Sequence, residues 1–335
     1  EVSPEVEIGS NATVTFDAPE SQSGYVYISV DGSSEESYPA ENGKLTNEIS
    51  NLSKGYHHIL VYYNNASYVD GKLVGEVYYK IFTVKVGIKT IIEADNITTL
   101  YNSSDNLIIK LMDSNMSSLK GKEILIILNG TNHTVTTDNF GQATLPIDVL
   151  PGNHTAEIFY SGDDDYLSSF GSSNVIVNKI ATNLTANNIN FIYDTPANLT
   201  ITLKDSNGFY LKGKNIVVKI NGTDYPVTTD DNGQTSLAID LPPGNYTAEI
   251  SFAEDIIYLA SFTQANVVIE KIATNLTADN ISFIYDSPIN LTITLKDRKN
   301  NLLAGKDIVV KINGTDNPVT TNNNGQATFE TKLLP

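Results

Sequence analysis

Histidine is the side chain best suited to acid–base or metal chemistry near neutral pH, and this chain has four of them. They are His57, His58, His133 and His154. No Ser/His/Asp set recurs along the sequence, and no two histidines have the His-x-x-x-His spacing of a metal-binding helix. There is also no cysteine, so thiol chemistry and disulfides are absent. The sequence therefore indicates a protein that is not an enzyme.

Clustered aspartates suggest a second kind of chemistry, the binding of a divalent cation. Asp163, Asp164 and Asp165 are consecutive, and hard oxygen ligands gathered on a turn can hold Ca²⁺. However, Asp230, on another acidic turn, has Asn322 as its counterpart 92 residues further on, and no bidentate glutamate follows at a fixed spacing. We therefore predict solvated turn residues, with Ca²⁺ at the three aspartates as the alternative and no other cofactor.

Asparagine-linked glycosylation is the third candidate chemistry, because the chain has 17 Asn-x-Ser/Thr sequons. Several of these asparagines precede glycine, a pair that also suits a tight hairpin turn, so a structural role is the alternative for part of the set. In an archaeal or eukaryotic source we expect several to be glycosylated. The candidates are Asn129, Asn183, Asn198, Asn221, Asn245, Asn275, Asn290 and Asn313.

The sequence repeats itself with a period of 92 residues. The tripeptide Asn-Gly-Thr occurs at 129–131, 221–223 and 313–315, and residues 179–185 are identical to 271–277. Such a period is too long for one solenoid unit and is typical of a small domain used in tandem. It predicts four domains, at residues 1–86, 87–178, 179–270 and 271–335, of which the first is a divergent copy.

Composition and charge narrow the class of protein. Forty per cent of the residues are hydrophobic, which is enough to build a core in each domain. A formal net charge of −18 argues against nucleic acid and against anionic membrane surfaces as partners. The sequence has no run of about 18 apolar residues, so it predicts no membrane span.

The residue pattern in the best-preserved repeat, 179–270, is that of short strands. Leu199, Ile201 and Leu203 alternate with Thr200 and Thr202, as on a strand with one buried face. Turn sequences separate such runs, and no helical i, i+3, i+4 pattern is present. About seven short strands in roughly 90 residues predict an immunoglobulin-like (Ig-like) β-sandwich. We thus predict an all-β chain, a tandem of Ig-like β-sandwich domains in an extended rod, because no flexible linker separates the repeats.

Two of the histidines have a structural explanation in such a fold. His57 and His154 align with Tyr246, at the corner where Ig-like domains place a tyrosine whose hydroxyl bonds to the backbone. We predict that both histidines replace that tyrosine.

Three sequence signatures resemble those of a known family. They are Asp-x-x-Gly-Gln before a strand, Pro-Gly-Asn-x-Thr-Ala-Glu-Ile, and Tyr-Ser-Gly-Asp-Asp-Asp-Tyr-Leu at 160–167. They are similar to the bacterial Ig-like (Big) repeats of large adhesin-like surface proteins, and the Asn- and Ile-rich composition resembles those of methanogenic archaea. The resemblance implies an extracellular protein of the cell surface whose repeats serve as a stalk.

The first domain stands out because it holds 9 of the 18 tyrosines. Strand parity places four large side chains on outward positions of two neighbouring strands: Tyr25, Tyr27, Leu60 and Tyr62. Tyr78 or Tyr79 on the last strand would extend this group. Contiguous exposed aromatic surface tends to mark an interaction site, for a protein or for a sugar. The alternatives are that another domain or chain covers the face, or that the tyrosines only pair across strands.

The fourth domain stops at Pro335, before the counterparts of its last two strands, F and G in Ig labelling. We expect either that the natural chain continues or that a strand from another chain completes the sandwich.

These observations predict a cell-surface, adhesin-like stalk that presents a binding surface to another surface protein, to a glycan or to copies of itself. No nucleic acid partner and no direct membrane span are expected. The alternative is a structural subunit of an extracellular fibre or sheath, assembled by strand complementation of the incomplete fourth domain. A third class, an accessory module of a wall-degrading enzyme, would need a catalytic domain elsewhere in the natural chain.

Overall fold

A computed structural model describes residues 1–18, 24–64, 66–75, 77–282, 284 and 287–331. All regular secondary structure in these residues is β-strand, so the prediction of an all-β chain is confirmed. The chain divides into two units, Glu1–Lys179 and Ile180–Pro335, which are described in turn.

The first sandwich of the unit Glu1–Lys179 has two sheets of unequal size. Its strands are β1 (Glu5–Glu7), β2 (Ala12–Asp17), β3 (Gly24–Val30), β4 (Glu36–Ala40), β5 (Lys44–Ile49), β6 (Gly55–Asn64), β7 (Ser67–Val69), β8 (Lys72–Val74) and β9 (Val77–Gly87). The larger sheet has the order β1-β9-β6-β3-β4, the smaller one pairs β2 with β5, and β7 and β8 form a separate hairpin. Alternate side chains fill the space between the two sheets, with Val26, Ile59 and Val84 fully buried.

The second sandwich of this unit follows after two residues. Its strands are β10 (Thr90–Ala94), β11 (Ile97–Leu100), β12 (Asn106–Asp113), β13 (Glu123–Leu128), β14 (Thr131–Thr136), β15 (Gln142–Pro146), β16 (Gly152–Tyr160) and β17 (Ser169–Asn178). One sheet has the order β10-β12-β15 and the other β11-β17-β16-β13-β14. The first two strands of the domain belong to different sheets. β10 pairs antiparallel with β12 in one sheet, and β11 pairs parallel with β17 in the other. This is an Ig-like β-sandwich, as predicted.

The unit Ile180–Pro335 begins with a third sandwich of the same topology. Its strands are β18 (Thr182–Ala186), β19 (Ile189–Ile192), β20 (Asn198–Asp205), β21 (Asn215–Ile220), β22 (Thr223–Thr228), β23 (Gln234–Ala238), β24 (Gly244–Phe252) and β25 (Ser261–Glu270). They form the sheets β18-β20-β23 and β19-β25-β24-β21-β22, and β19 is again parallel to β25. Ile201, Val218 and Ile250 lie fully buried between the sheets.

The remaining strands of this unit form a smaller group. They are β26 (Thr274–Ala278), β27 (Ile289–Asp297), β28 (Asp307–Ile312), β29 (Thr315–Thr320) and β30 (Gln326–Thr331), in the sheets β26-β27-β30 and β28-β29. Within the described residues β28 pairs with β29 alone, whereas its counterpart β21 pairs with both β22 and β24. Leu276 is exposed, although its counterpart Leu184 is buried. Completion of this group by another chain stays a prediction, as do the four domain boundaries.

The repeated Asn-Gly pairs form the tight turns between β13 and β14 and between β21 and β22. Asn129 and Gly130 have φ angles of 51° and 75°, and Asn221 and Gly222 have 51° and 78°. Two successive positive φ angles are the mark of a type I′ turn, whose twist matches that of the flanking strands. These asparagines therefore have a backbone role whether or not they carry a glycan.

The Asp-x-x-Gly-Gln signature builds another turn that contacts the core. In the third sandwich, Asp230 accepts hydrogen bonds through Oδ1 from the amides of Asn232 (2.8 Å) and Gln234 (2.9 Å). Gly233 has a φ of +63°, and a Cβ built on it would lie 2.7 Å from the carbonyl oxygen of Leu203. The signature is thus explained by a tight approach of two backbone segments, which only glycine permits.

Candidate functional site

The tyrosines of the first sandwich lie on the outer face of its larger sheet. Tyr27 on β3 is directly opposite Tyr62 on β6, and Tyr62 is directly opposite Tyr79 on β9. The neighbours of Tyr62 in sequence, Val61 and Tyr63, are buried, so strand parity directs Tyr62 outward. Three adjacent strands therefore carry one row of tyrosines, which we call the tyrosine face.

The centre of the tyrosine face is held by a ring stack and a hydrogen bond. The rings of Tyr27 and Tyr62 have centroids 4.6 Å apart and planes inclined by 8°. The Tyr62 hydroxyl donates a 2.5 Å hydrogen bond to Oε2 of Glu35. This bond to a carboxylate raises the pKa of Tyr62 to about 12, so the phenol stays protonated and remains a donor to Glu35. Both rings are half-buried, and together they form a fixed aromatic platform.

The flanks of the tyrosine face are much more open. The exposed fraction is 54% for Tyr25 and 77% for Tyr79, which leaves both rings available to a partner. Leu60 is half-buried and lies opposite Ile81, whose side chain is exposed. The structure thus brings the four predicted residues to one face and adds Tyr79 and Ile81 to them.

Tyr78 lies on the other side of the same strand. It is opposite the buried Tyr63 and lines an open cleft of about 660 Å³ between the two sheets. Other walls of that cleft are Phe16, Leu45, Lys80 and Phe82. Tyr79 of the tyrosine face also lines this cleft, so the cleft and the tyrosine face meet at Tyr79 on β9.

Sequence reasoning missed two members of this site. Ile81 follows from parity, because it is two residues beyond Tyr79 on the same strand. Glu35 lies between β3 and β4, where no hydrophobic period indicates a direction for the side chain. Only the position of Tyr62 in the folded sheet shows that this carboxylate belongs to the face.

The corner histidines bond to the backbone as the alignment predicts. Nε2 of His57 is 2.7 Å from the carbonyl oxygen of Ser53, and Nε2 of His154 is 2.8 Å from that of Leu150. The Tyr246 hydroxyl makes the equivalent bond, since each ring reaches the carbonyl four residues upstream. Both histidines therefore have a structural role at the corner.

His57 also has a partner at its other ring nitrogen. Its Nδ1 lies 2.7 Å from Oδ2 of Asp31, so both ring nitrogens face an oxygen acceptor and both can donate only when the ring is protonated. Burial acts to lower the pKa of His57, but the bonds to Ser53 and Asp31 outweigh it and raise the pKa above its usual value. The backbone amide of His58 and the His57 ring lower the pKa of Asp31.

We expect the first sandwich to lose stability as the pH rises through the raised pKa of His57. A histidine whose pKa is higher in the folded than in the unfolded protein stabilises the fold fully at pH values below its unfolded-state pKa. This stabilisation is lost as the pH rises through its folded-state pKa. The loss should be on the order of 1 kcal/mol. This is the energy of a hydrogen bond to a charged group, reduced because solvent screens the half-exposed Asp31. Urea unfolding at pH 5.5 and pH 8.5, read by hydrogen exchange of residues 55–64, measures it. His57→Tyr should remove the dependence and His154→Tyr should not; an unchanged slope in His57→Tyr contradicts the assignment.

The three consecutive aspartates lie in the loop between β16 and β17 and have different environments. Asp163 accepts hydrogen bonds from the Lys122 ammonium, from the Tyr160 hydroxyl (2.9 Å) and from the amides of Asp165 (3.0 Å) and Tyr166 (3.1 Å). Burial acts to raise its pKa, but these bonds, above all the one from Lys122, lower the pKa to about 2. Asp163 is thus a structural anion rather than a solvated turn residue.

Asp165 and Tyr166 join this loop to the first sandwich. The Asp165 carboxylate pairs with the Lys54 ammonium, and the Tyr166 carbonyl accepts a 2.9 Å hydrogen bond from the buried Lys85. Asp164 is exposed. The same loop bonds to the connecting residue Ile88, whose amide donates to the Asp165 carbonyl. The acidic loop therefore fixes the junction between the two sandwiches of this unit.

A lysine and an aspartate pair in the same way in the third sandwich. Lys214 is 2.6 Å from Asp255, 92 residues beyond Lys122 and Asp163 respectively. In the described part of the chain, no group of three or more histidine and carboxylate side chains is placed to hold a metal ion. Because Ca²⁺ needs six to eight oxygen ligands and Asp163 is occupied by lysine, the loop in this geometry does not fit a calcium site. Calcium binding, the alternative that the sequence offered for these aspartates, would need a different arrangement of the loop.

The glycosylation candidates are all on the surface. Each of the eight asparagines has an exposed side chain: Asn129, Asn183, Asn198, Asn221, Asn245, Asn275, Asn290 and Asn313. Exposure is what an accepting site requires, and their modification stays a prediction. A search of the described residues also finds no helix with the length and hydropathy needed to cross a membrane.

Comparisons with known proteins give likenesses of fold. No protein-family model matches the sequence, and a search of the curated proteins finds no match. Among solved structures, the chain is similar to a Ca²⁺-stabilized adhesin that helps an Antarctic bacterium bind ice, with 15% identity, 98% of this chain and 89% of that chain covered, and a TM-score of 0.26. It is also similar to a 1.5-MDa bacterial ice-binding adhesin, with 14% identity and a TM-score of 0.26. That match covers 80% of this chain and 94% of the adhesin chain. A third similar structure is that of the titin domains Z1Z2 in complex with telethonin, with 10% identity and a TM-score of 0.36. That match covers 55% of this chain and 98% of the titin chain.

Proposed function

We propose that this chain is part of an adhesin-like protein of the cell surface. Its four domains, at residues 1–86, 87–178, 179–270 and 271–335, serve as an extending stalk, and the first presents the tyrosine face to a protein or glycan on another surface. Within the unit Glu1–Lys179, the two sandwiches are joined by a connection of only two residues and by the bonds of the acidic loop, which supports the stalk. The exposed sequons and the net charge of −18 fit an extracellular glycoprotein with a well-hydrated surface. We further propose that the repeats are of the Big type found in archaeal adhesin-like proteins.

The tyrosine face carries this proposal. Its centre is rigid, because the Tyr27–Tyr62 stack and the bond to Glu35 fix two rings, and its flanks are open at Tyr25 and Tyr79. A partner that binds a preordered surface loses less side-chain entropy, so affinity is gained without new contacts. Tyrosine also offers both an apolar ring and a hydroxyl, which suits a protein hot spot or the face of a sugar ring.

A double substitution on the open flanks tests the proposal. We expect Tyr25→Ser with Tyr79→Ser to lower binding to a glycan array or to intact cells by about tenfold or more, as for the loss of hot-spot aromatics. Both rings are largely exposed, so the fold should tolerate the change. Tyr210→Ser is the matched control, because Tyr210 is also an exposed tyrosine but lies in the third sandwich.

Two outcomes would contradict the proposal. One is a double variant with the same binding as the parent protein but a lower free energy of unfolding. That result would mean that the tyrosines only stabilise the sheet through cross-strand pairs. The other is equal loss of binding in Tyr210→Ser, which would show that the contact does not depend on the first sandwich.

A further inference from the structure

The tyrosine face carries one negative charge and no positive charge. Of its members only Glu35 is charged; the others are Tyr25, Tyr27, Leu60, Tyr62, Tyr79 and Ile81. Glu35 is exposed, and its Oε2 accepts the hydrogen bond from the Tyr62 hydroxyl. Its Oε1 has no hydrogen-bond or ion-pair partner in the part of the chain that the structure describes. A carboxylate has room for several donors, so Glu35 can still accept a hydrogen bond from another molecule.

The lysines nearest to the tyrosine face are engaged elsewhere. Lys80 on β9 has its ammonium 4.9 Å from the ring centroid of Phe82, on the side of the strand opposite to the face. Lys85, further along the strand, donates its hydrogen bond to the Tyr166 carbonyl. Among the described residues, no lysine pairs with Glu35 or lies over a ring of the tyrosine face. No described lysine therefore neutralises the negative charge of the face.

Elsewhere in the chain, tyrosine rings already bind lysine. Four tyrosines outside the face each have a lysine ammonium 4.4 to 6.0 Å from the ring centroid: Tyr56, Tyr166, Tyr210 and Tyr258. The face of an aromatic ring is negative, so it attracts a cation placed over it. Tyr25 and Tyr79 have largely exposed rings, and no described lysine lies over either of them. These two rings are therefore open to a cation from another molecule.

We propose that the tyrosine face binds a basic segment of a partner protein, whose lysine or arginine side chains contact the rings of Tyr25 and Tyr79 and pair with Glu35. This inference rests on the proposed function and adds the chemical class of the partner. The net charge of −18 attracts such a segment over a long range and repels an acidic one. Arginine suits the site well, because its planar guanidinium can stack on an aromatic ring and donate to a carboxylate.

The spacing of the face fits an extended segment. Glu35 is bonded to Tyr62, which lies on the strand next to that of Tyr79, and neighbouring strands are about 5 Å apart. Alternate side chains of an extended segment lie on the same side, about 7 Å apart. A segment with basic residues at alternate positions can therefore place one over Tyr79 and another beside Glu35.

Salt separates this partner from a neutral one. The attraction between a basic segment and the acidic face is screened by ions, so the binding weakens as the ionic strength rises. The stacking of a neutral sugar on the same rings has no net charge to screen. Binding to a basic partner should therefore fall with added NaCl, whereas binding to a neutral glycan should not.

Fluorescence anisotropy of a labelled hexa-arginine peptide with the full chain tests the proposal. We expect the Kd to rise between about 50 and about 500 mM NaCl, a span that shortens the screening length roughly threefold. Tyr25→Leu with Tyr79→Leu should raise the Kd about tenfold, because leucine keeps an apolar surface but removes two contacts between a ring and a cation. Glu35→Gln should raise the Kd about threefold, as for the loss of one exposed ion pair.

Two control variants distinguish the face from the chain as a whole. Asp164→Asn removes the same charge from an exposed position in the second sandwich, and Tyr210→Leu removes an exposed tyrosine from the third. Equal effects of Asp164→Asn and Glu35→Gln would mean that the peptide responds only to net charge, which overturns the proposal. An unchanged Kd in the double leucine variant overturns it as well. If that variant unfolds, Glu35→Gln decides, because the glutamine amide oxygen still accepts from the Tyr62 hydroxyl.

Failure of this inference can be told from failure of the proposed function. The variant with Tyr25→Ser and Tyr79→Ser may lose its binding to cells while Glu35→Gln and added salt leave that binding unchanged. The face is then a contact surface whose partner is not basic, and only this inference is wrong. If the double serine variant binds cells as the parent does, the proposed function fails and this inference fails with it.

Discussion

Replacing Gly233 by alanine is expected to lower the free energy of unfolding of the third sandwich by about 3 kcal/mol or more. Two costs combine. At a φ of +63° an L side chain is strained by roughly 1–2 kcal/mol. The new Cβ would also lie 2.7 Å from the Leu203 carbonyl oxygen and 2.9 Å from the Leu211 amide nitrogen, so two backbone segments would have to separate.

Gly208→Ala separates these two costs. Gly208 has a φ of +88°, but among the described residues no heavy atom lies within 4 Å of the position that a Cβ would occupy, so only the strain of about 1 kcal/mol applies. Several sandwiches in one chain do not unfold in a single step, so a global melting curve is unsuitable. Hydrogen exchange of the amides in β20 and β24 reports the third sandwich alone. Equal effects in the two variants would show that the close approach at Gly233 contributes nothing.

Replacing Asp163 by alanine is expected to destabilise the second sandwich by about 2 kcal/mol, after allowance for the partial exposure of the carboxylate. The change leaves the Lys122 ammonium, the Tyr160 hydroxyl and two loop amides without their acceptor. Asp164→Ala is the matched control, because that carboxylate is exposed in the same loop and its loss should change stability by less than about 0.5 kcal/mol.

The Asp163 carboxylate also predicts how the second sandwich responds to acid. The pKa of Asp163 is lowered from the usual aspartate value of 3.8 to about 2. The carboxylate therefore contributes its full free energy of stabilisation at pH values above 3.8, and this contribution is lost as the pH falls towards 2. Hydrogen exchange of β16 and β17 between pH 5 and pH 2 measures the loss. The slope should be shallower in Asp163→Ala than in the parent; identical slopes would mean that the pair with Lys122 contributes no stability. The direction is opposite to that expected for His57, which contributes on the low-pH side.

The sequence was sufficient to locate the tyrosine face because strand parity is a strict rule. Once Tyr27 and Tyr62 are assigned to strands, an error of one residue would reverse the face, and the buried neighbours Val26 and Val61 exclude that error. The sequence did not show which tyrosine of the last strand belongs to the face, because Tyr78 and Tyr79 are adjacent and either one could point outward. The pairing of Tyr79 with Tyr62 decides it.

The ion pairs were not predicted, because they join residues far apart in sequence. Lys122 and Asp163 are 41 residues apart, and parity says nothing about which loop meets which strand end. A signal did exist: both residues recur 92 positions later as Lys214 and Asp255, so a lysine and an aspartate repeat together. The pair of His57 with Asp31 had no such signal, because it belongs to the divergent first repeat.

The parallel pairing of β11 with β17 determines how the second sandwich responds to a stretching force. The two strands are neighbours, run in the same direction and lie near the two ends of that domain. Tension on the ends of the domain pulls such strands in opposite directions along their length, so the hydrogen bonds between them are loaded in shear and resist together instead of opening one after another. The third sandwich has the same arrangement in β19 and β25. In a chain tethered at one end and held at the other, these pairs would therefore resist extension of the second and third sandwiches.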